Sequence, residues 1–568
     1  MHRGERTRYV PRQSFDGHRQ VCRLFSDLIH GDLSLQYRIE LPQNGMVDGH
    51  RTTLPVSDRL QRLRQCSSNF ANGAFDHEDL GAHPDYLIHL RNRRWNTTIH
   101  DDRSSSSLHS QNGKSDLSLC VITPGSAQAG IESSLSLLPT GTASRQGFII
   151  TKWAIDGIQD LLVMAERVDT MLPQQLPPGS DEVHIHFYSL SGSKADRPTP
   201  HPAAKLPSVR VSAPGPDSRV HNNAPLILTI VEIHISGQKV ISEVVEIRGG
   251  NIEAVSVSVC SWRTGEAISQ IDVGLQLVHV VPLGPDCPYF LVVPRAPAAG
   301  FHLTIYNFSP SSTPGGPILC TLQLPPLNPG ERIAWHDIHS GDRPLHTSEG
   351  HFHADLSLSL IALTLGIMSA DAEHEHEHEH QAHLLIPRTT LLTHARAADS
   401  VSRQSADASP GKLEPRRVPW AEWGPRGCLR LRQRPPAGLA ARRVMLIPFG
   451  ARMPLVVFDS DERGLDASSV WVYVFDLNPF LPRRRRVPEG TSGTGPGTTG
   501  IIEDIEAVLP GVVDPACSSI RYRAYRFRVG LPAVPIGNSV RSVVMGMTGF
   551  TMKLSGVSYE EAVQTWSV

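Results

Sequence analysis

Four short blocks of this chain obey one pattern: apolar residues at positions one, three and five, then a large apolar residue at position eight. They are VHIHFYSL (183–190), VSVSVCSW (255–262), FHLTIYNF (301–308) and VWVYVFDL (470–477). Alternation sends residues one, three and five to the same side of an extended backbone, so each block reads as a strand with a face to bury. Related runs recur beyond Trp153, among them LLVM at 161, LILTIVEIHI at 226, VVF at 456 and RYRAYRFRV at 521, with Gly, Pro, Asn and Asp between them. That is the texture of many strands joined by turns. With 46 Gly and 45 Pro in 568 residues, long helical bundles are excluded.

The repeat also has a length. Trp262 and Phe308 hold the same place in consecutive blocks and lie 46 residues apart, close to the ~40–45 residues of a WD-type propeller blade. The block at 255 runs on through WRTGE into AISQI, a strand, a Trp, a Thr-Gly turn and an outer strand. A radial propeller also disposes of the exposed edges that so many strands would present. The expected fold is therefore all-β: an irregular WD-like β-propeller of six to eight blades with a short helical N-terminal remnant. Helical signals concentrate before residue 70, in VCRLFSDLI (21–29) and in DRLQRLR behind Ser57. The expected division is a disordered 1–20, a helical remnant and linker at 21–64, a polar insertion or irregular first blade at 65–147, and a propeller at 148–568. Low-complexity loops are expected at 371–383, 396–417 and 483–500.

Charge narrows the partners. The 54 basic and 56 acidic residues leave a net charge of −2, which removes the broad attraction that drives nucleic-acid binding. The eight cysteines are far apart with no C-x-x-C, so local zinc and redox motifs are excluded. The opening MHRGERTRYVPRQ lacks the apolar run of a signal peptide, and the stretch 356–370 is shorter than the ~20 residues that cross a bilayer. The expectation is a protein of the cytoplasm or nucleus, with protein partners, no nucleic acid, no membrane and no cofactor.

Several segments carry a resemblance: LQYRIELPQNGMVDG (35–49), IDGIQDLLVMAE (155–166), SWRTGE (261–266), LQLPP (322–326), LLIPRTTLL (384–392), VPWAEWGPRG (418–427), FDLNP (475–479) and the ending VQTWSV (563–568). In this order they resemble mushroom-type fungal F-box proteins, in which a short F-box precedes a degenerate WD-like propeller. The resemblance implies a substrate-recognition subunit of an SCF-type ubiquitin ligase, with the propeller as receptor and a Skp-type adaptor on the F-box helices. It also implies a strand at QYRIEL, preceded by a helical module of which VCRLFSDLI supplies only the last helix. Leu24, Phe25, Leu28 and Ile29 are then the remnant of the adaptor surface, too small to bind unless the F-box is complete. Gln65 to His89 reads as inserted relative to the family. A stand-alone scaffold propeller is the alternative.

Candidate chemistry is sparse. EHEHEHEH (373–380) contains H-E-x-x-H twice, which in a zincin requires a formed helix and a third ligand. A trivial repeat meets that pattern automatically, so a solvated loop is expected, with His374, His376, His378 and His380 as weak adventitious metal ligands and a metal-dependent hydrolase as the least supported function. Gly495, Gly497 and Gly500 match G-x-G-x-x-G but lack the preceding buried strand. Arg483 to Arg486 form a small basic cluster. Trp420 and Trp423 are read as packing between blades or, alternatively, as a ligand-contact patch.

Overall fold

Each of the four blocks forms the third strand of its run. In chain order the runs are Phe148–Asp156, Leu161–Val168 and Glu182–Lys194; Leu226–Ser236, Lys239–Arg248 and Asn251–Ser261; Val278–Pro282, Tyr289–Pro294 and His302–Asn307; Met445–Ile447, Arg452–Phe458 and Ser469–Asp476. The computed structural model describes residues 23–49, 53–82, 87–90, 118–123, 126, 128–130, 134–139, 148–168, 182–194, 197–212, 226–248, 251–285, 287–295, 301–309, 318–341, 350–369, 380–406, 415–433, 444–458, 469–481, 499–502, 504–514, 516, 519–531, 539–555 and 561–567. In all four blocks the eighth residue does the same thing. The backbone N–H groups of Leu190, Trp262, Phe308 and Leu477 donate to the carbonyls of Asp160, Gln238, Pro288 and Ala451, at 3.0, 3.1, 2.9 and 2.9 Å. Each acceptor is the residue just before the second strand of its run. The large apolar side chain at position eight is thereby anchored over the end of its sheet.

Successive sheets stack face to face. The second run alternates between two cores: Val240, Val244 and Trp262 pack with Val183, Ile185 and Phe187 of the first, while Ile241, Val245, Val255 and Val257 pack with Val280, Phe290 and Val292 of the third. The third run turns its other face, Leu291, Leu303 and Ile305, to Leu363, Leu365 and Leu384 of the next sheet. That sheet contains Glu331–Ser340, Leu360–Ser369, His380–Pro387 and Leu429–Gln433. Strands apolar on both sides are what such stacking demands. The first two runs are also paired strand to strand, at Thr229 and Arg167, which links them in one nine-stranded sheet. At the far end, Asp76–Ala82 pairs antiparallel with Glu561–Ser567, joining strands 479 or more residues apart in sequence into one sheet with 539–545, 549–555 and 445–447. Leu87–Leu90, Ser118–Thr123 and Ser134–Pro139 form a three-stranded sheet, and Met46–Asp48 pairs with Phe352–Ala354.

The N-terminal helices are integrated with this core. Helix α1 spans Arg23–Gly31, α2 Leu33–Gln43 and α3 Val56–Asn72. The family resemblance implied a strand at QYRIEL; the structure corrects this to α2. Tyr37, Ile39 and Leu41 alternate as a strand would, yet Tyr37 and Leu41 are also one helical turn apart, and both are buried. Asp32 decides between the two readings by accepting hydrogen bonds from the N–H groups of Ser34 (2.7 Å) and Leu35 (3.2 Å) as the N-cap. The segment 65–89, read as inserted relative to the family, contains regular structure. Its first residues continue α3, sending Cys66 and Phe70 into the core, where Phe70 stands edge-on to Tyr525 and Phe527. Residues 76–82 are the strand that pairs with the chain's last one. Asn478 Nδ2 ties α2 down, donating to the carbonyls of Pro42 (2.7 Å) and Gln43 (3.0 Å).

Two expected loops contain regular structure. Helix α4, Arg388–Ala406, occupies half of 396–417 and buries Leu391, Ala395 and Ala398 against the strand 318–323 side of the third sheet. The last residues of 371–383 begin strand His380–Pro387, paired with Leu360–Ser369. Helices are therefore not confined to the N-terminus; α5, Trp420–Gly427, and the single turn α6, Ile505–Val508, follow. The loop expected at 483–500 ends at Gly500, which already belongs to strand Gly500–Ile502. Segment 1–20 lies outside the described residues, as do 370–379 and 482–498.

The boundary at His380 sets a specific expectation for the histidine run. Removing Glu373 to Glu379 leaves the 360–369/380–387 hairpin its full register, and shortening a loop changes closure entropy by only about 0.6 kcal/mol per twofold change in length. The deletion should melt within about 2 °C of the parent. A larger fall would show that the run supports the fold.

Candidate functional site

The first strands of three consecutive sheets, 226–236, 278–282 and 331–340, lie side by side. They bring together an array of ionisable groups. Glu232 and Glu243 sit directly opposite each other on antiparallel strands, a like-charge pairing that is unfavourable by itself. The register slips between Ile230 and Glu232, a bulge that re-aims the carboxylate. Arg295 resolves the conflict from the neighbouring sheet. Its Nη2 donates to Glu243 at 2.6 Å and to Glu232 at 3.2 Å, and its Nε to the Val278 carbonyl at 3.0 Å. Glu243, fully buried, also accepts from the Val278 N–H at 2.8 Å.

Histidines extend the array. His234 Nε2 lies 3.4 Å and His279 Nδ1 3.6 Å from the two oxygens of Glu232. On the third strand, His339 Nε2 lies 2.9 Å from Asp337. His336 is buried with its ring against Phe301 and edge-on to His279, at centroid distances of 4.5 and 5.9 Å. Burial alone would raise the Glu232 carboxyl, but His234 and His279 hold it well below the usual range. Burial wins at Glu243 and raises it despite Arg295. Burial pushes His336 down to about 4, with His279 adding to the effect. Asp337, opposed by burial, is held low by His339. Arg295, His279 and Asp337 remain partly open to solvent, so the array offers a fixed, mixed-charge set of donors and acceptors. Among the described residues, no group of three or more His, Cys, Asp or Glu side chains is arranged to hold a metal ion.

The residues singled out from the sequence lie elsewhere. His374, His376 and His378 fall outside the described residues; His380 opens a strand and lies 3.8 Å from Glu331. The side chains of Leu24 and Phe25 are likewise outside, whereas Leu28 is 53% exposed and Ile29 is buried. The adaptor remnant is thus split between surface and interior. Trp423 is in the core, its Nε1 donating to the Gln323 carbonyl at 2.8 Å, and Trp420 packs edge-on against it. A buried Trp423 is unavailable to a ligand, which corrects the contact-patch alternative. Gly424 is required there, since a Cβ would meet the Trp420 ring at 2.3 Å. The thiols of Cys66, Cys260 and Cys320 are pushed up by burial to about 11, 12 and 11, the opposite of what a nucleophile needs. Sequence reading passed over Glu232, His234 and His279 because isolated polar residues in alternating strands ordinarily face water. The available signal was the polar interruption of LILTIVEIHI, a run apolar enough to be buried on both faces.

No helix among the described residues is long and apolar enough to cross a membrane. No family model matches the chain, and no curated protein does. Among solved structures it is similar to WD40-type β-propeller domains. One is the β-propeller domain of Myceliophteria thermophila Cps50 (Swd1), at 9% identity and a TM-score of 0.25, covering 74% of this chain and 97% of that one. Another is the C-terminal WD40 domain of Sif2, at 11% identity and a TM-score of 0.31, covering 79% and 89%. A structure from a study of two prolyl endopeptidases is similar at 10% identity and a TM-score of 0.27 over 74% of this chain. The chain spans half the length of that peptidase.

Proposed function

We propose that this chain is a seven-bladed WD-like β-propeller that acts by binding another protein. The observation that carries the reading is the pairing of Asp76–Ala82 with Glu561–Ser567, which supplies one sheet from both ends of the described chain, as closure of a ring requires. The seven units would be the sheets beginning at 87, 148, 226, 278, 331 and 452, and the shared one at 539–567. In such a ring the first strands are innermost, which would place the Glu232–Arg295–His279 array at the channel wall and its rim at one end of the disc. Rigid scaffolds with polar rims bind partners through their ends and loops.

A captured partner should therefore slow amide exchange at the ends of strands 226–236, 278–282 and 331–340 in the full chain. Protection confined to other strands would overturn the placement of the binding face. The role of ubiquitin-ligase receptor, suggested by resemblance, is separated from that of free-standing scaffold by titrating a purified Skp-type adaptor into the full chain. Of the remnant residues whose side chains are described, Leu28 is outside and Ile29 inside, so these two form no continuous apolar anchor, and binding energy concentrates in such anchors. The expected result is no heat of binding at about 10 μM adaptor, a concentration at which a micromolar complex would form. Micromolar or tighter binding would assign the receptor role.

A further inference from the structure

His336 stands at the junction of three sheets in an unusual state. Its residue is 8% exposed, and neither ring nitrogen makes a hydrogen bond. The Pro294 carbonyl lies beside the ring without completing one. Among the described residues, the acids at the junction are already engaged. From strand 226–236, Glu232 serves His234, His279 and Arg295. From 239–248, Glu243 serves Arg295 and the Val278 N–H. On the ring's own strand, Asp337 serves His339 and the Ile338 N–H. The residue paired with His336 on strand 360–369 is Leu365, and the ring also packs against Phe301 and the imidazole of His279. A neutral ring fits this place as an aromatic would. Among the described residues a cationic ring has no free carboxylate to pair with, and it faces another imidazole across the seam between 278–282 and 331–340. An uncompensated buried charge is relieved most cheaply by exposing it.

We propose that His336 is the trigger of an acid-sensitive seam: a proton on its ring releases strand Glu331–Ser340 from strand Val278–Pro282 while the distant sheets stay packed. Local opening of one unit below the energy of global unfolding is an ordinary property of stacked sheets. Histidine is the side chain suited to drive such opening between pH 5 and 7.

Hydrogen exchange of the full chain at pH 7.4 and 5.0, corrected for the intrinsic pH dependence of exchange, tests this directly. Amides of 278–282 and 331–340 should exchange at least 10-fold faster at pH 5.0, an acceleration well beyond that of 469–476 and 549–555, which follow only the global loss of stability. His336→Phe keeps an aromatic ring without a titratable nitrogen and should abolish the difference. His279→Gln removes the facing imidazole and should reduce it, which keeps the test decisive where the phenylalanine variant folds poorly. His383→Gln, in the same sheet but away from the seam, should leave it intact. Uniform acceleration in all strands, no acceleration at the seam, or acceleration that survives in His336→Phe would overturn the proposal.

Discussion

Replacing Arg295 by methionine is expected to lower the unfolding free energy by about 3–5 kcal/mol, the range for removing one partner of a buried ion pair. The guanidinium is the cation that bridges Glu232 and Glu243, two carboxylates facing each other across adjacent strands, one of them fully buried. Without it the pair must share a proton or repel, and the Val278 carbonyl loses its Nε donor as well. Methionine keeps most of the apolar stem, so the loss reports charge and hydrogen bonding more than volume. Adding Glu243→Gln to Arg295→Met should recover more than half of the loss, because it removes the charge that has been stranded. Urea unfolding of the parent, the single variant and the double variant measures both quantities. A loss below about 1 kcal/mol, or no recovery in the double variant, would show that the clasp is not what joins these two sheets.

Acidification is expected to destabilise the protein through His383 before most carboxylates titrate. This ring is completely buried between Thr364, whose hydroxyl lies 3.0 Å from Nδ1, and Gln433, whose Oε1 lies 3.3 Å from Nε2. Burial pushes it down to about 4, with Gln433 opposing weakly. A base whose folded value is depressed is neutral when folded, so the unfolded chain takes up the proton first. The stability is intact above the unfolded value of about 6.5 and falls between there and about 4, by about 3 kcal/mol at the lower limit. His383→Gln keeps an amide able to bond both neighbours and removes the titration. The variant is expected to start lower at pH 7.5 and to lose less on going to pH 5 and 4.5. Parallel slopes for parent and variant across that interval would refute the assignment.

Much of the fold was readable because it is written in period-two alternation. The blocks at 183, 255, 301 and 470 bury their first, third and fifth residues as strands, the half-buried Phe301 excepted, and their eighth residues make equivalent backbone contacts. The QYRIEL segment was not readable in this way. Tyr37 and Leu41 satisfy both a strand face and a helix face, and the N-cap at Asp32, outside the alternating run, settled the matter. The stretch from 65 to 82 was opaque for a different reason. DHEDLGA has no apolar alternation of its own, and it is a strand because the last strand of the chain offers it hydrogen bonds.

The sequence by itself determined where the alternating strands beyond Trp153 lie and that their faces must be covered. These are local consequences of side-chain alternation. Only the tertiary structure decided which sheet covers which face, that residue 76 meets residue 567, and that Glu232, Glu243, Arg295, His279 and His336 converge. Such encounters between strands far apart in sequence depend on register and on the order of stacking, and neither leaves a periodic trace in the residues themselves.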